Sequence, residues 1–288
     1  MRSLIIITLS FMFLTACGTT SHSTIKLSTA SNYSTEGWVT AVKKEGKKPA
    51  ITKDTGIVFL HGKRGDPDTS HNADFISKMS ELGYNIIAPL MPWSERRGYS
   101  GTREQGMDVI TSAVNALDTK KVVIIGHSMG GMAVFQYGAR GGVPAKVVGL
   151  VSVAPGHDPN NAYKLQSNTT ADASKSCDMV AAGKGKERSS FADMNGGRTY
   201  SINATAEYYC SYYSVRNYPD SLQIAEKIKT PLFILSGDGD RLTSVYSHGI
   251  IFSSLPANDK NKFATLAGGH LNVLYKHTDI VSQWIDAL

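Results

Sequence analysis

Cysteine is scarce: this 288-residue chain has three, at 17, 177 and 210, and no Cys-x-x-Cys pair. His-Glu-x-x-His and Gly-x-Gly-x-x-Gly runs are missing too. The sequence therefore calls for no structural zinc, no zinc-protease centre and no dinucleotide, and neither metal nor organic cofactor is expected. No internal repeat is visible. The formal net charge is +6, yet no basic run gathers it, so it reads as charge spread over a solvated surface and no nucleic-acid partner is expected. Long hydrophobic runs are also wanting. The apolar stretch from Leu4 to Leu14 is too short to span a bilayer comfortably, which argues against a permanent transmembrane helix.

That stretch carries the flanks of an export signal instead. Met1-Arg2 precedes it and the small-residue site Thr15-Ala16-Cys17 follows it, giving a signal peptide over residues 1–16. Leu14-Thr15-Ala16-Cys17 resembles the lipobox of bacterial lipoproteins. The resemblance implies cleavage before Cys17, acylation of its thiol, for instance with palmitate, and a lipid-anchored membrane partner in the cell envelope. Gly18, where an aspartate could stand, implies the outer membrane facing periplasm or exterior if the source is Gram-negative. From Cys17 to Glu36 small polar residues dominate, a composition that reads as a flexible tether with a reach of roughly 25 Å. With Cys17 assigned to lipid, Cys177 and Cys210 remain in a compartment that permits disulfides. Pairing is expected, and two free buried thiols are the alternative.

Residues 37–288 are long enough for one α/β domain with a real core. Short apolar runs recur at Gly56–Leu60, Tyr84–Leu90, Val122–Ile125, Val147–Val153, Leu232–Leu235 and Phe263–Leu266. An amphipathic helix fits Asn72 to Leu82, and Thr102 with Gln105 has the spacing of a capping box. Apolar strands alternating with helices predict a mostly parallel sheet covered on both faces, with sites gathered beyond the carboxyl ends of the strands. From about 156 to 220 runs a polar, glycine-containing stretch far longer than an ordinary connection.

Gly126-His127-Ser128-Met129-Gly130-Gly131 follows the apolar run Val122–Ile125 and precedes a helix-like segment. That context puts Ser128 at the tip of a tight strand-to-helix turn, where a hydroxyl stands clear of the sheet. Strand and helix converge so closely there that Gly126 and Gly130 are needed to avoid collision. A serine hydroxyl is a weak nucleophile at neutral pH and needs a base within reach, oriented by a third group.

With His61-Gly62 ending an early strand, these elements resemble the α/β-hydrolases over about residues 55–288. The resemblance implies a mostly parallel central sheet with helices on both faces, and a lid formed by the 156–220 insertion after the strand near Val147–Val153. It implies the chain order serine, acid, histidine. Gly237-Asp238-Gly239-Asp240 then selects Asp240 over Asp238 as the acid, and Gly268-Gly269-His270 supplies the base. The main-chain N–H groups of Lys63 and Met129 are the implied oxyanion donors. His61 is expected to brace its loop and His127 to pack with its side chain directed away along the turn. His248 and His277 are expected at the surface. Tyr208, Tyr209, Tyr212 and Tyr213 are expected chiefly as the insertion's own core, with an acyl- or aromatic-binding surface as the other use. Lys63-Arg64 is an unusual pair beside an oxyanion element; it reads as solvated loop charge, neutralised by Asp66 and Asp68, or as an attractor for an anionic substrate group. The implied function is a serine hydrolase that cleaves a small acyl ester or thioester through an acyl-enzyme. Acyl transfer, peptide hydrolysis and a non-catalytic binding lipoprotein are the alternatives.

Overall fold

The structure is a computed structural model, and it describes residues 22–29, 31, 33–40, 51–156, 167–195, 198–218 and 220–288. The segment expected as a signal peptide and the expected lipidation site at Cys17 lie outside those residues. In chain order the elements are β1 (His22–Ser28), β2 (Ser34–Thr40), β3 (Thr55–Leu60), α1 (Ser70–Glu81), β4 (Asn85–Pro89), α2 (Arg103–Ala116), β5 (Lys121–His127), α3 (Met129–Ala139) and β6 (Val147–Val153). There follow α4 (Ser167–Ala181), β7 (Arg188–Asn195), β8 (Arg198–Thr205), α5 (Ala206–Tyr213), α6 (Ser221–Ala225), β9 (Leu232–Gly237), α7 (Val245–Ser253), β10 (Lys262–Leu266), α8 (Asn272–Lys276) and α9 (Thr278–Asp286).

Eight strands make one sheet in the order β1-β2-β4-β3-β5-β6-β9-β10, parallel from β4 to β10, with β1 and β2 antiparallel at one edge. The apolar runs become strands buried on both faces because alternate side chains enter different cores. Val58, Leu60, Val122 and Ile124 face one core with Ile110 and Val114 of α2 and Val134 and Tyr137 of α3. Ile57, Phe59, Val123 and Ile125 face the other, with Phe75 and Met79 of α1 and Val281 and Ile285 of α9. The expected α/β-hydrolase architecture is therefore observed. Thr102 caps α2 with the full capping box, its side chain accepting from the Gln105 N–H while Gln105 accepts from the Thr102 N–H.

The tether reading of residues 17–36 is corrected for the described residues from His22 onward, while 17–21 lie outside them. His22–Ser28 and Ser34–Thr40 pair along their length, and β2 pairs with β4 through Trp38 opposite Ala88. Average polarity concealed a period of two: Leu27 and Trp38 are 2 % and 4 % exposed and join the two different cores. Burying a leucine to that degree is worth about 2 kcal/mol, enough to draw a serine- and threonine-rich segment onto a sheet edge. Thr35 adds a hydroxyl bond to the Leu90 carbonyl at 2.7 Å.

Between β6 and α6 the insertion has its own architecture. β7 and β8 form an antiparallel hairpin, Arg188 opposite Thr205 through Asn195 opposite Arg198, flanked by α4 and α5. Cys177 on α4 and Cys210 on α5 are joined by a disulfide, with Cα atoms 4.9 Å apart. Phe191, Ile202, Tyr208 and Tyr209 of the insertion pack into the same core as α2 and α3. Among the described residues no helix is long and apolar enough to cross a membrane.

Candidate active site

The chain leaves β3 for β4 on one side and returns to β5 on the other, so a crevice opens beyond the carboxyl ends of β3 and β5, where ligand sites of such sheets form. Ser128 stands there between β5 and α3 at φ 55° and ψ −117°, a conformation costly for a residue with a side chain. The two glycines make it possible. A Cβ on Gly126 would lie 2.1 Å from the Gly130 carbonyl oxygen, and one on Gly130 would lie 2.2 Å from that of Leu60.

The loops after β9 and β10 bring the other two residues to the same place. His270 Nε2 lies 2.9 Å from Ser128 Oγ, and His270 Nδ1 lies 2.8 Å from Asp240 Oδ2. A carboxylate oxygen accepts only, so Nδ1 carries the proton and the Nε2 lone pair faces the serine O–H. Asp240 is itself held by several donors: the Thr243 hydroxyl at 2.8 Å on Oδ2, and the N–H groups of Leu242 and Thr243 on Oδ1. Burial pushes its pKa up, but the His270 hydrogen bond and charge, with the Thr243 and Leu242 donors, outweigh that and hold it well below the usual carboxylate range. Asp238 has a different task, accepting the Gly268 N–H at 3.0 Å and so fastening the two loops together.

Lys63 and Met129 flank the serine in the wall of the same cavity. The main chain after β3 passes so close that a Cβ on Gly62 would lie 3.2 Å from Ser128 Cβ. Met129 opens α3, so its N–H has no intrahelical acceptor. Among the described residues neither its N–H nor that of Lys63 makes a hydrogen bond.

His61 braces its loop. It is fully buried, donates from Nδ1 to the Gly62 carbonyl and accepts the Met91 N–H on Nε2, and burial holds its pKa down to about 4. His127 departs from expectation. Its ring does not point away but lies 5.1 Å from that of His270, and its Nε2–H donates to the His270 carbonyl at 2.8 Å. The reason is that the buried ring needs an acceptor, and the histidine loop supplies one; burial, then the His270 charge, lowers its pKa to about 3. His248 is also corrected from a surface to a buried position, where it accepts from Ser236 Oγ and donates to the Pro155 carbonyl. His277 donates to the Ala267 carbonyl in an exposed setting.

The cavity beside Ser128 has a volume of about 320 Å³, at the small end for ligand pockets. Its far wall comes from the insertion, through Thr169, Asp193, Met194, Tyr212, Tyr213 and Tyr218. The tyrosines thus divide: Tyr208 and Tyr209 fill the core, while Tyr212 and Tyr213 also face the cavity. Lys63 and Arg64 are not neutralised by Asp66 and Asp68, which pair with Arg96 instead. Lys63 pairs with Asp193 and Arg64 with Glu95. No local pattern marks Asp193, because its partner lies 130 residues away. Thr243 had a readable signal, an Asp followed by a hydroxyl residue three positions on. Among the described residues no group of three or more His, Cys, Asp or Glu side chains could hold a metal ion.

A mostly parallel sheet with helices on both faces and a serine at the β5–α3 turn defines an α/β-hydrolase. Residues 103–271 match the serine aminopeptidase S33 model, Hydrolase_4, and the chain belongs to that family. It is 34 % identical over 126 residues to a Mycoplasma pneumoniae protein whose name describes an esterase/lipase. That match covers 42 % of this chain and 43 % of the relative, less than half of its length. Similar solved structures include the esterase Pf2001 of Pyrococcus furiosus, with a TM-score of 0.61 at 15 % identity over 93 % of each chain. Est1E from Butyrivibrio proteoclasticus has a TM-score of 0.58 at 14 % identity, over 92 % of this chain and 98 % of its own. The esterase domain of a Rhodothermus marinus protein has a TM-score of 0.63 at 11 % identity, over 93 % and 98 %. At such identities these structures share the fold.

Proposed function

We propose that this protein is a serine hydrolase that cleaves small acyl esters or thioesters through an acyl-enzyme. The observation that carries the reading is the unbroken chain of hydrogen bonds from Ser128 Oγ through His270 to Asp240, at 2.9 and 2.8 Å. His270 Nε2 takes the serine proton as Oγ attacks the acyl carbon, and the Lys63 and Met129 N–H groups bind the oxygen as it becomes negative. His270 then protonates the leaving group, and water repeats the sequence on the acyl-serine. Asp240 stays ionised, fixing the tautomer and stabilising the imidazolium.

Ester chemistry fits the cavity better than aminopeptidase chemistry. Binding a peptide's α-ammonium calls for a free carboxylate near the scissile bond. Among the described lining residues the carboxylate is Asp193, which Lys63 already neutralises. The esterase/lipase name of the Mycoplasma relative supports the same reading.

Ser128→Ala is expected to abolish both p-nitrophenyl butyrate hydrolysis and fluorophosphonate labelling while keeping the native circular dichroism. Undiminished labelling would mean that another residue is the nucleophile. The proposal includes attachment to the cell envelope through a lipid on Cys17, motivated by the lipobox-like Leu14-Thr15-Ala16-Cys17. Incorporation of a labelled fatty acid into the wild type but not into Cys17→Ala tests it.

A further inference from the structure

Oxyanion stabilisation asks only for a main-chain N–H, whatever side chain its residue carries. Lys63-Arg64 is nonetheless an elaborate pair, and both side chains reach across to the insertion. Lys63 Nζ donates to Asp193 Oδ1 at 2.7 Å and to the Met194 carbonyl at 2.8 Å. Asp193 Oδ1 also accepts the Tyr213 hydroxyl at 2.9 Å, and the Asp193 side chain is 1 % exposed. The Arg64 guanidinium lies over the Tyr200 ring, 4.9 Å from its centre. Residues from β7 and β8, with Tyr213 of α5 bonded to Asp193, thereby hold the two side chains of one short stretch of the loop. On its other side that stretch is tied to the sheet domain, the Arg64 N–H donating to the Trp93 carbonyl at 3.0 Å. Arg64 sits at φ 67°, a left-handed conformation that persists in a residue with a side chain only where its surroundings hold it.

We propose that the Lys63–Asp193 ion pair is a positioning device for the reaction. It fixes the Lys63 main chain, and with it the oxyanion N–H, to the insertion, so that transition-state stabilisation depends on the insertion being docked. The proposal rests on the serine-hydrolase reading above. Neither side chain touches the reacting atoms; both act through the N–H. A buried pair adds little net stability against an apolar replacement, yet it is costly to break from one side because the surviving charge is stranded. Those are the properties of a stiff link rather than of a stabilising one. It also occupies the cation that could otherwise have drawn an anionic substrate group to the cavity.

The test compares turnover of p-nitrophenyl butyrate by the full chain, purified in detergent, with three variants. Lys63→Met keeps the main-chain N–H and removes the link. Lys63→Met/Asp193→Leu removes both charges and strands neither. Lys63→Arg keeps a cation able to reach the carboxylate. Losing an oxyanion donor outright costs about 100- to 1000-fold, so a displaced donor is expected to lower kcat about 10- to 100-fold. The first two variants should show that loss with KM within about threefold of wild type, and Lys63→Arg should recover most of it. If Lys63→Met fails to fold, the double variant decides, with its melting temperature as the control. Wild-type kcat in the folded double variant, or an effect on KM alone, would overturn the proposal while leaving the hydrolase reading intact. Absence of Ser128-dependent turnover in the wild type would remove both.

Discussion

The β5–α3 junction and the insertion meet at one cavity but are held in opposite ways. At the junction, position is enforced by steric exclusion: Gly126 and Gly130 leave no room for another conformation, and Ile124 and Ile125 are buried on either side of the sheet. The insertion is held by cross-links instead, the Cys177–Cys210 disulfide, the Lys63–Asp193 pair and the stacked rings of Tyr209 and Tyr213. A rigid half carries the proposed chemistry, and a tied half shapes the space over it. The contrast teaches that damage to the first should remove turnover, while damage to the second should weaken it through the Lys63 tie or alter how substrate is held.

The largest effect should come from the rigid half. Asp240→Asn keeps the shape but lets His270 take the wrong tautomer, and kcat is expected to fall by about 10⁴-fold, close to 5.5 kcal/mol in the barrier. Steady-state hydrolysis of p-nitrophenyl butyrate measures it. A loss below tenfold would mean that His270 is oriented by something else.

Next comes the tie in the insertion. Replacing Cys177 and Cys210 by serine opens the loop between two residues 33 positions apart, worth about 3–4 kcal/mol in the chain-entropy model. Faster hydrogen exchange is expected in α4, β7, β8 and α5, with Ser128 still labelled by fluorophosphonate and KM raised. If exchange quickened equally in β5 and β6, the two halves would be one cooperative unit and the contrast would fail.

The smallest effect is a pH slope that belongs to the rigid half alone. Burial holds His61 down to about 4 and His127 down to about 3, whereas both titrate near 6.5 once unfolded. Between those values the unfolded chain binds more protons, so stability rises with pH through that window and is lost as pH falls below about 6.5, by roughly 1.4 kcal/mol per unit for each group. The depressed Asp240 carboxyl acts in the same direction at still lower pH. Urea unfolding between pH 5 and 6.5 reads the slope, and His61→Asn should flatten it, with His127 and His71, whose pKa burial also lowers, carrying the slope that remains. An unchanged slope would show that His61 is not held neutral.

Much of this was readable along the chain. Ser128 could be found because the steric demand of its turn falls on residues two positions away, and Asp240 and His270 because the resemblance to the α/β-hydrolases implies an acid and then a histidine in the glycine-bearing loops after the last two apolar strands. Where partners are distant, the reading failed. β1 and β2 passed for a tether because Leu27 and Trp38 acquire meaning only against cores built by later residues. His248 passed for a surface residue because Ser236 and Pro155 reach it only after folding.

Local spacing and hydropathy were thus sufficient for the sheet and the elbow at Ser128, since each depends on steric and periodic constraints within a few residues, and the resemblance to the α/β-hydrolases then pointed to Asp240 and His270. Folding alone settled the edge hairpin, the neutral buried histidines and the pairing of Lys63 with Asp193. Those depend on which groups lose water together, and a linear chain does not record which of its distant charges and side chains will share a dry interior.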